Sequence, residues 1–154
     1  MATEIDPVAV ACARNNGIEI FPGDLGASLP NSLRGRVDVV TAVVPYVPTS
    51  ELAFLPRDVL RYEHLNALDG GADGTHLLVR ACRESALLLH PGGSLLLELG
   101  GAQDRLLEPE LLALGFDDLV RHLDEDGDLR CLVCLYQSPG SQDLYPGWPR
   151  RSQG

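Results

Sequence analysis

The sequence predicts an α/β fold, a mostly parallel sheet that finishes in an antiparallel hairpin. Three observations carry this. Short β-branched or leucine-rich runs alternate with helical segments from the first residues onward. Val37 to Val44 is an apolar run of strand length, rich in valine, and Pro45 stops it because proline cannot donate to a sheet ladder. Near the end, Phe116 to Leu123 and Leu129 to Tyr136 read as two strands flanking an Asp-Gly tip, which marks an antiparallel hairpin.

Each element has its own local reason. Met1 to Ile5 reads as the end of a strand. Asp6 and Pro7 open a helix as N-cap and first helical residue. Val8, Ala11 and Cys12 give that helix an apolar face, and Asn16-Gly17 stops it. Ile18 to Phe21 is the next strand, and Leu25 to Arg36 is a loop leading to the strand that starts at Val37. Thr49 to Asp73, with its prolines, charges and Gly70-Gly71, reads as a long loop of the kind that is functional or disordered. Gly74 to Leu89 is a helix whose Leu77, Leu78, Ala81, Ser85, Leu88 and Leu89 share one face. His90 to Gly93 is a turn, Ser94 to Leu99 a buried strand, and Asp104 to Leu114 a helix ended by Gly115. The chain is expected to form one α/β domain over residues 1–136, with a disordered tail rich in Pro, Gly, Ser and Gln over 137–154.

Composition bounds the function. The 154 residues, 45% hydrophobic and 22% charged, suit one globular domain with a real core. Twelve basic against 22 acidic residues give a net charge of −10, which disfavours broad nucleic-acid binding. No apolar run reaches membrane-spanning length, and the start lacks a basic region followed by an apolar one; a cytoplasmic location is expected. Cys131 and Cys134 have CxxC spacing, but on a strand residues three apart face opposite sides, so they are read as structural. The four histidines, His64, His76, His90 and His122, are read as surface or turn residues, and the acidic tip at 124–128 as a solvated hairpin end.

The stretch Thr41 to Pro48 organises the rest. Tyr46 follows Pro45 on the loop at a strand's carboxyl end, the edge of an open α/β sheet where ligands bind. From this octet alone the plainer reading is favoured, a strand end punctuated by two prolines with Tyr46 as a packing residue. Ala2 to Asn16, Gly23-Asp24-Leu25, Ala42 to Pro48, Tyr62 to Gly71, and Pro91-Gly92-Gly93 with Leu96-Leu97-Glu98 together, in order and spacing, resemble the protein-(glutamine-N5) methyltransferase family, whose members methylate a glutamine of peptide-chain release factors. The resemblance runs from residue 2 to about residue 136. It implies a Rossmann-like class I methyltransferase sheet and S-adenosylmethionine as cofactor.

The resemblance also implies site residues. Glu4 holds the place of the family's ribose-binding acid; otherwise it is a surface carboxylate favoured by a helix N-terminus. Asp24 holds the place of the adenine contact, or is a turn residue. Ala42, Val43, Val44, Pro45 and Tyr46 occupy the family's Asn-Pro-Pro-Tyr position and would line the acceptor site, with Ala42 also on the cofactor side. There the family's Asn oxygen and the next backbone carbonyl hold the two hydrogens of the target amide and aim its nitrogen, so catalysis is mainly positioning.

Two departures follow. Val43 replaces the Asn and accepts no hydrogen bond; loss of one such contact costs on the order of 10²–10³ in rate. The first strand and its glycine-rich turn are lacking: no Gly-x-Gly turn follows a strand here. The second and fourth strands of the family then either close on each other or keep unpaired edges. Both departures imply impaired activity in an apparently N-terminally truncated member. The alternative is a non-catalytic fragment or interaction module completed by another chain, and an exposed edge also provides for a homodimer. The implied partner is a protein substrate, a release factor, with no direct nucleic-acid or membrane contact.

Overall fold

The computed structural model describes residues 1–139; most of the expected tail, from residue 140 on, lies outside the described residues. The elements in order are β1 (Ala2–Glu4), α1 (Pro7–Asn15), β2 (Ile20–Pro22), β3 (Val37–Ala42), α2 (Arg57–Tyr62), α3 (His76–Leu88), β4 (Leu89–Glu98), α4 (Gln103–Leu114), β5 (Phe116–Leu123) and β6 (Leu129–Tyr136). They form two separate sheets. β1 and β2 pair in parallel, Ala2 opposite Ile20 and Glu4 opposite Pro22. The larger sheet runs β3-β4-β6-β5, with β3 parallel to β4 and β6 antiparallel to both β4 and β5.

Of the two outcomes foreseen for a sheet without its first strand, the structure has the second. β1 and β3 do not pair, and among the described residues no strand fills the free edge of either. Both edges keep backbone groups that water or another strand must satisfy.

The core sits on one face of the larger sheet. Alternate residues Leu95 and Leu97 of β4 and Leu132 and Cys134 of β6 are buried, as period-two strands require. They meet Leu78 and Cys82 of α3, Leu107 and Leu111 of α4, and Phe116, whose ring lies 5.2 Å from that of Tyr136. Burial pushes the Cys82 and Cys134 thiols up to about 12, so neither is a thiolate at neutral pH. Cys131 is half-buried on the opposite face from Cys134. Among the described residues no group of three or more His, Cys, Asp or Glu is placed to hold a metal ion. No helix among them is long and apolar enough to cross a membrane.

Local signals explain several boundaries. Asp6 caps α1, accepting from the Val8 amide at 2.8 Å, with Pro7 behind it. Gly115 ends α4 at φ +91°. Other expectations need correction. Val10, not Val8, Ala11 or Cys12, is the buried residue of α1; the two-stranded sheet is too narrow to cover more than one row of that helix, and Val8 is exposed. β3 stops at Ala42 rather than Val44, because its pairing with β4 ends at Ala42–Leu97. His90 to Gly93 is not a free turn but an insertion inside β4: Val37 pairs with Leu89 and Val39 with Ser94, and Gly92 takes φ +91°. The loop from Thr49 to Asp73 contains α2 and two 3-10 turns, Thr49–Phe54 and Leu65–Ala67.

Candidate functional site

β3 and β4 are parallel, so their carboxyl ends share one edge, and the antiparallel β6 begins there. A cavity of about 360 Å³ opens at that edge. Thr41, Ala42, Val43 and Tyr46 line one side, Leu96, Leu97 and Glu98 a second, and Arg130 and Cys131 of β6 a third. Its walls are mainly apolar, with one acid, one phenol and one guanidinium among them. Polar groups converging on an apolar cleft are the usual make-up of a small-ligand or side-chain site.

The segment after β3 turns away from the sheet because Pro45 cannot extend the ladder. Val43 is 74% exposed, whereas Val44 packs against the core cluster. Tyr46 then turns its ring back over the cavity, and its hydroxyl donates to Glu98 Oε1 at 3.3 Å. Burial, then the neighbouring Glu98 carboxylate, pushes the Tyr46 phenol above the ordinary tyrosine range, with Arg130 pulling weakly the other way. Tyr46 is therefore protonated at neutral pH and acts as a hydrogen-bond donor.

Backbone pairing fixes this turn. Val47 bridges to Asp69 in parallel, with Val47 N to Leu68 O and Gly70 N to Val47 O each at 2.9 Å. Thr49 N reaches Gly71 O at 2.9 Å, and the Thr49 hydroxyl donates to Asp69 Oδ1 at 2.7 Å. Thus hydrogen bonds join the stretches 42–48 and 62–71, which are separate in sequence, into one structure.

The expected cofactor residues stand elsewhere. Glu4 ends β1, and its Oε1 accepts from the Ile5 and Asp6 amides, both at 2.8 Å. Asp24 follows β2 and is ion-paired with Arg80 of α3 at 2.7 Å. Neither lines the cavity; of the positions expected to hold cofactor, only Ala42 does. Val43 and Tyr46 also line it, while Val44 and Pro45 do not. Glu98, Arg130, Gln103 and Asp69 were not among the expected site residues. A charged residue at a strand's carboxyl end was a usable signal for Glu98; nothing in the linear order brings Arg130 or Gln103 to this edge.

An adenosine ligand needs free acceptors for its ribose hydroxyls and its amine, and a close approach of backbone. One oxygen of Glu4 is taken by the chain's own amides, Asp24 is taken by Arg80, and no glycine-rich turn lies between the free edges of β1 and β3 among the described residues. As arranged, the described residues do not offer a complete seat for it.

No protein-family model matches the chain. Curated relatives do. The chain is 34% identical over 136 residues to the release factor glutamine methyltransferase of Geobacter sulfurreducens, covering 82% of this chain and 46% of that protein. It is 37% identical over 123 residues to the same enzyme of Moorella thermoacetica, covering 74% and 42%. It therefore spans about half the length of the curated relatives it matches. Among solved structures, the E. cuniculi Mtq2–Trm112 complex, described as responsible for methylation of the eRF1 translation termination factor, matches with TM-score 0.59 and 19% identity over 88% of this chain and 70% of that one. A methyltransferase from Pyrococcus furiosus matches with TM-score 0.54 and 16% identity over 88% and 61%. These two show the fold, which is that of class I methyltransferases. By sequence and fold together, the chain belongs to the protein-(glutamine-N5) methyltransferase family.

Proposed function

We propose that this chain carries the acceptor half of an S-adenosylmethionine-dependent protein-glutamine N5-methyltransferase acting on a release factor, and that by itself it is impaired. The observation that carries the reading is the cavity at the ends of β3 and β4, lined by Ala42, Val43 and Tyr46, the positions where the family holds its target amide. The cavity is an open cleft of about 360 Å³ with mostly apolar walls, which suits the methylene stem of a glutamine side chain.

S-adenosylmethionine, when bound, supplies an electrophilic methyl carbon. The chain's contribution is to hold an amide nitrogen in line with it. By the family resemblance one amide hydrogen would go to the Val44 backbone carbonyl, which stands between the cavity-lining Val43 and Tyr46 in the chain. Val43 offers nothing for the other, since its side chain is a hydrocarbon. Tyr46 packs over the amide and keeps water out. The engaged state of Glu4 and Asp24 supports weak cofactor binding by the chain alone.

A second reading rests on the separation of the two sheets. A strand supplied by another chain would pair with the free edges of β1 and β3 and join them, making this chain an interaction module. Incubating the chain with S-adenosylmethionine and a bacterial release factor, followed by mass spectrometry of the target glutamine, tests the proposal. The expected rate is lower than that of an intact relative by on the order of 10²-fold or more. A rate equal to the relative's would contradict impairment. Methylation of the release factor at residues other than glutamine would contradict the acceptor reading.

A further inference from the structure

Three distant segments meet on one buried side-chain amide. Gln103, the first residue of α4, is only 6% exposed. Its Nε2 donates to the Tyr46 carbonyl and lies 3.4 Å from the Gly74 carbonyl, while its Oε1 accepts from the Gly100 amide at 3.0 Å. The exit of β3, the approach to α3 and the connection from β4 to α4 are thus joined through a single group.

The backbone around this amide is packed too closely for other side chains. A Cβ on Gly74, which has φ +76°, would stand 2.2 Å from the Tyr46 carbonyl oxygen and 2.4 Å from Gln103 Nε2. A Cβ on Gly70 would stand 2.7 Å from Tyr46 Cα. The bond from Gln103 to the Tyr46 carbonyl is partly buried, so removing the donor leaves a carbonyl with little solvent to replace it. Only a side chain with both a donor and an acceptor at its tip meets these partners. Glutamate lacks the donor and asparagine is one methylene shorter.

Pinning the Tyr46 carbonyl has a consequence two peptides away. Pro45 has a fixed φ. With the Tyr46 carbonyl anchored beyond it, few torsions remain between that anchor and the Val44 carbonyl. We propose that Gln103 is a positioning residue of the acceptor site, fixing both the direction in which the Tyr46 ring enters the cavity and the aim of the Val44 carbonyl. This rests on the acceptor reading above and names the residue that sets its geometry.

Two nuclear magnetic resonance measurements on the chain itself test the role without requiring methyl transfer. In the wild type, the Gln103 side-chain amide protons exchange with solvent more slowly than those of a free glutamine amide, by on the order of tenfold or more, the factor matching one satisfied hydrogen bond. Exchange at the free rate overturns the proposal. In ring-labelled protein, with Tyr46 assigned through Tyr46→Phe, Gln103→Leu and Gln103→Glu shift the Tyr46 ring signals, and the uncharged Gln103→Leu brings its phenol titration down toward the ordinary tyrosine value. Leu111→Ala, a core truncation on the same helix, leaves both unchanged. Tyr46 signals that stay at their wild-type positions in Gln103→Leu overturn the proposal. Failure of these tests leaves the methyltransferase reading standing, and failure of the methylation assay leaves the positioning role standing.

Discussion

The Asp24 carboxylate is held by the Arg80 guanidinium, Oδ2 to Nη2 at 2.7 Å, across the connection between the small sheet and α3. An adenine amino group directed at Asp24 would compete with that guanidinium. Both partners are more than a third exposed, so the pair is weak and the competition modest. Arg80→Ala is expected to tighten S-adenosylmethionine or adenosine binding by up to about fivefold, measured by equilibrium titration. Unchanged or weaker binding would show that Asp24 does not face the ligand.

Val43 is the position where the acceptor site departs from its family. The side chain is mostly exposed, so Val43→Asn is expected to leave stability within about 0.5 kcal/mol of wild type. In a protein that joins this chain to the strand and glycine-rich turn of an intact relative, the same substitution is expected to raise glutamine methylation by on the order of 10²-fold. No gain there removes the role assigned to Val43.

Gly74 and Gly127 separate conformational strain from steric exclusion. Both have positive φ, +76° and +85°, but a Cβ on Gly127 meets nothing within 4 Å while one on Gly74 runs into the Tyr46 carbonyl. Gly127→Ala is expected to cost about 1 kcal/mol. Gly74→Ala is expected to cost about 1–3 kcal/mol more and to disturb the Tyr46 ring signals. Equal losses in chemical denaturation would mean that the Gly74 contact relaxes freely.

Asp104 of α4 is buried, and Arg121 of β5 reaches it at 2.5 Å, with a second contact from Arg121 to Glu108 at 3.2 Å. Burial raises the Asp104 carboxyl, but the bond from Arg121 and the Arg105 amide outweigh it, and its value falls below the ordinary one. A depressed folded-state value means the pair stabilises the fold above the unfolded-state pKa, near 3.9. That stabilisation is lost as pH falls through the lower folded-state value. Because Arg121 is more than a third exposed, Asp104→Asn is expected to cost about 1–2 kcal/mol at neutral pH, below the figure for a fully buried pair. Denaturation midpoints of wild type and variant are expected to converge in acid. A gap that persists there would place the effect in packing instead.

Local chemistry made much of the fold legible. The Asp6-Pro7 start, the Gly115 stop and the Asp-Gly hairpin each depend on residues adjacent in sequence, and β5 and β6 have the expected bounds. What was illegible depends on partners far along the chain. Val43 and Val44 are as strand-prone as their neighbours, and only the end of the β4 pairing releases them. The helix Arg57–Tyr62 is too short to show a period. Gln103 looks like any polar residue near a helix start until the fold brings Tyr46, Gly74 and Gly100 around it. Tyr46 could be read from the sequence as a loop residue at a ligand edge, but its bond to Glu98 could not.

Calorimetric titration of the chain alone with S-adenosylmethionine tests most directly whether two separate sheets, with Glu4 and Asp24 already engaged, leave the cofactor without a complete seat. The expected result is weak binding or no detectable heat. A dissociation constant in the micromolar range or tighter would contradict the account.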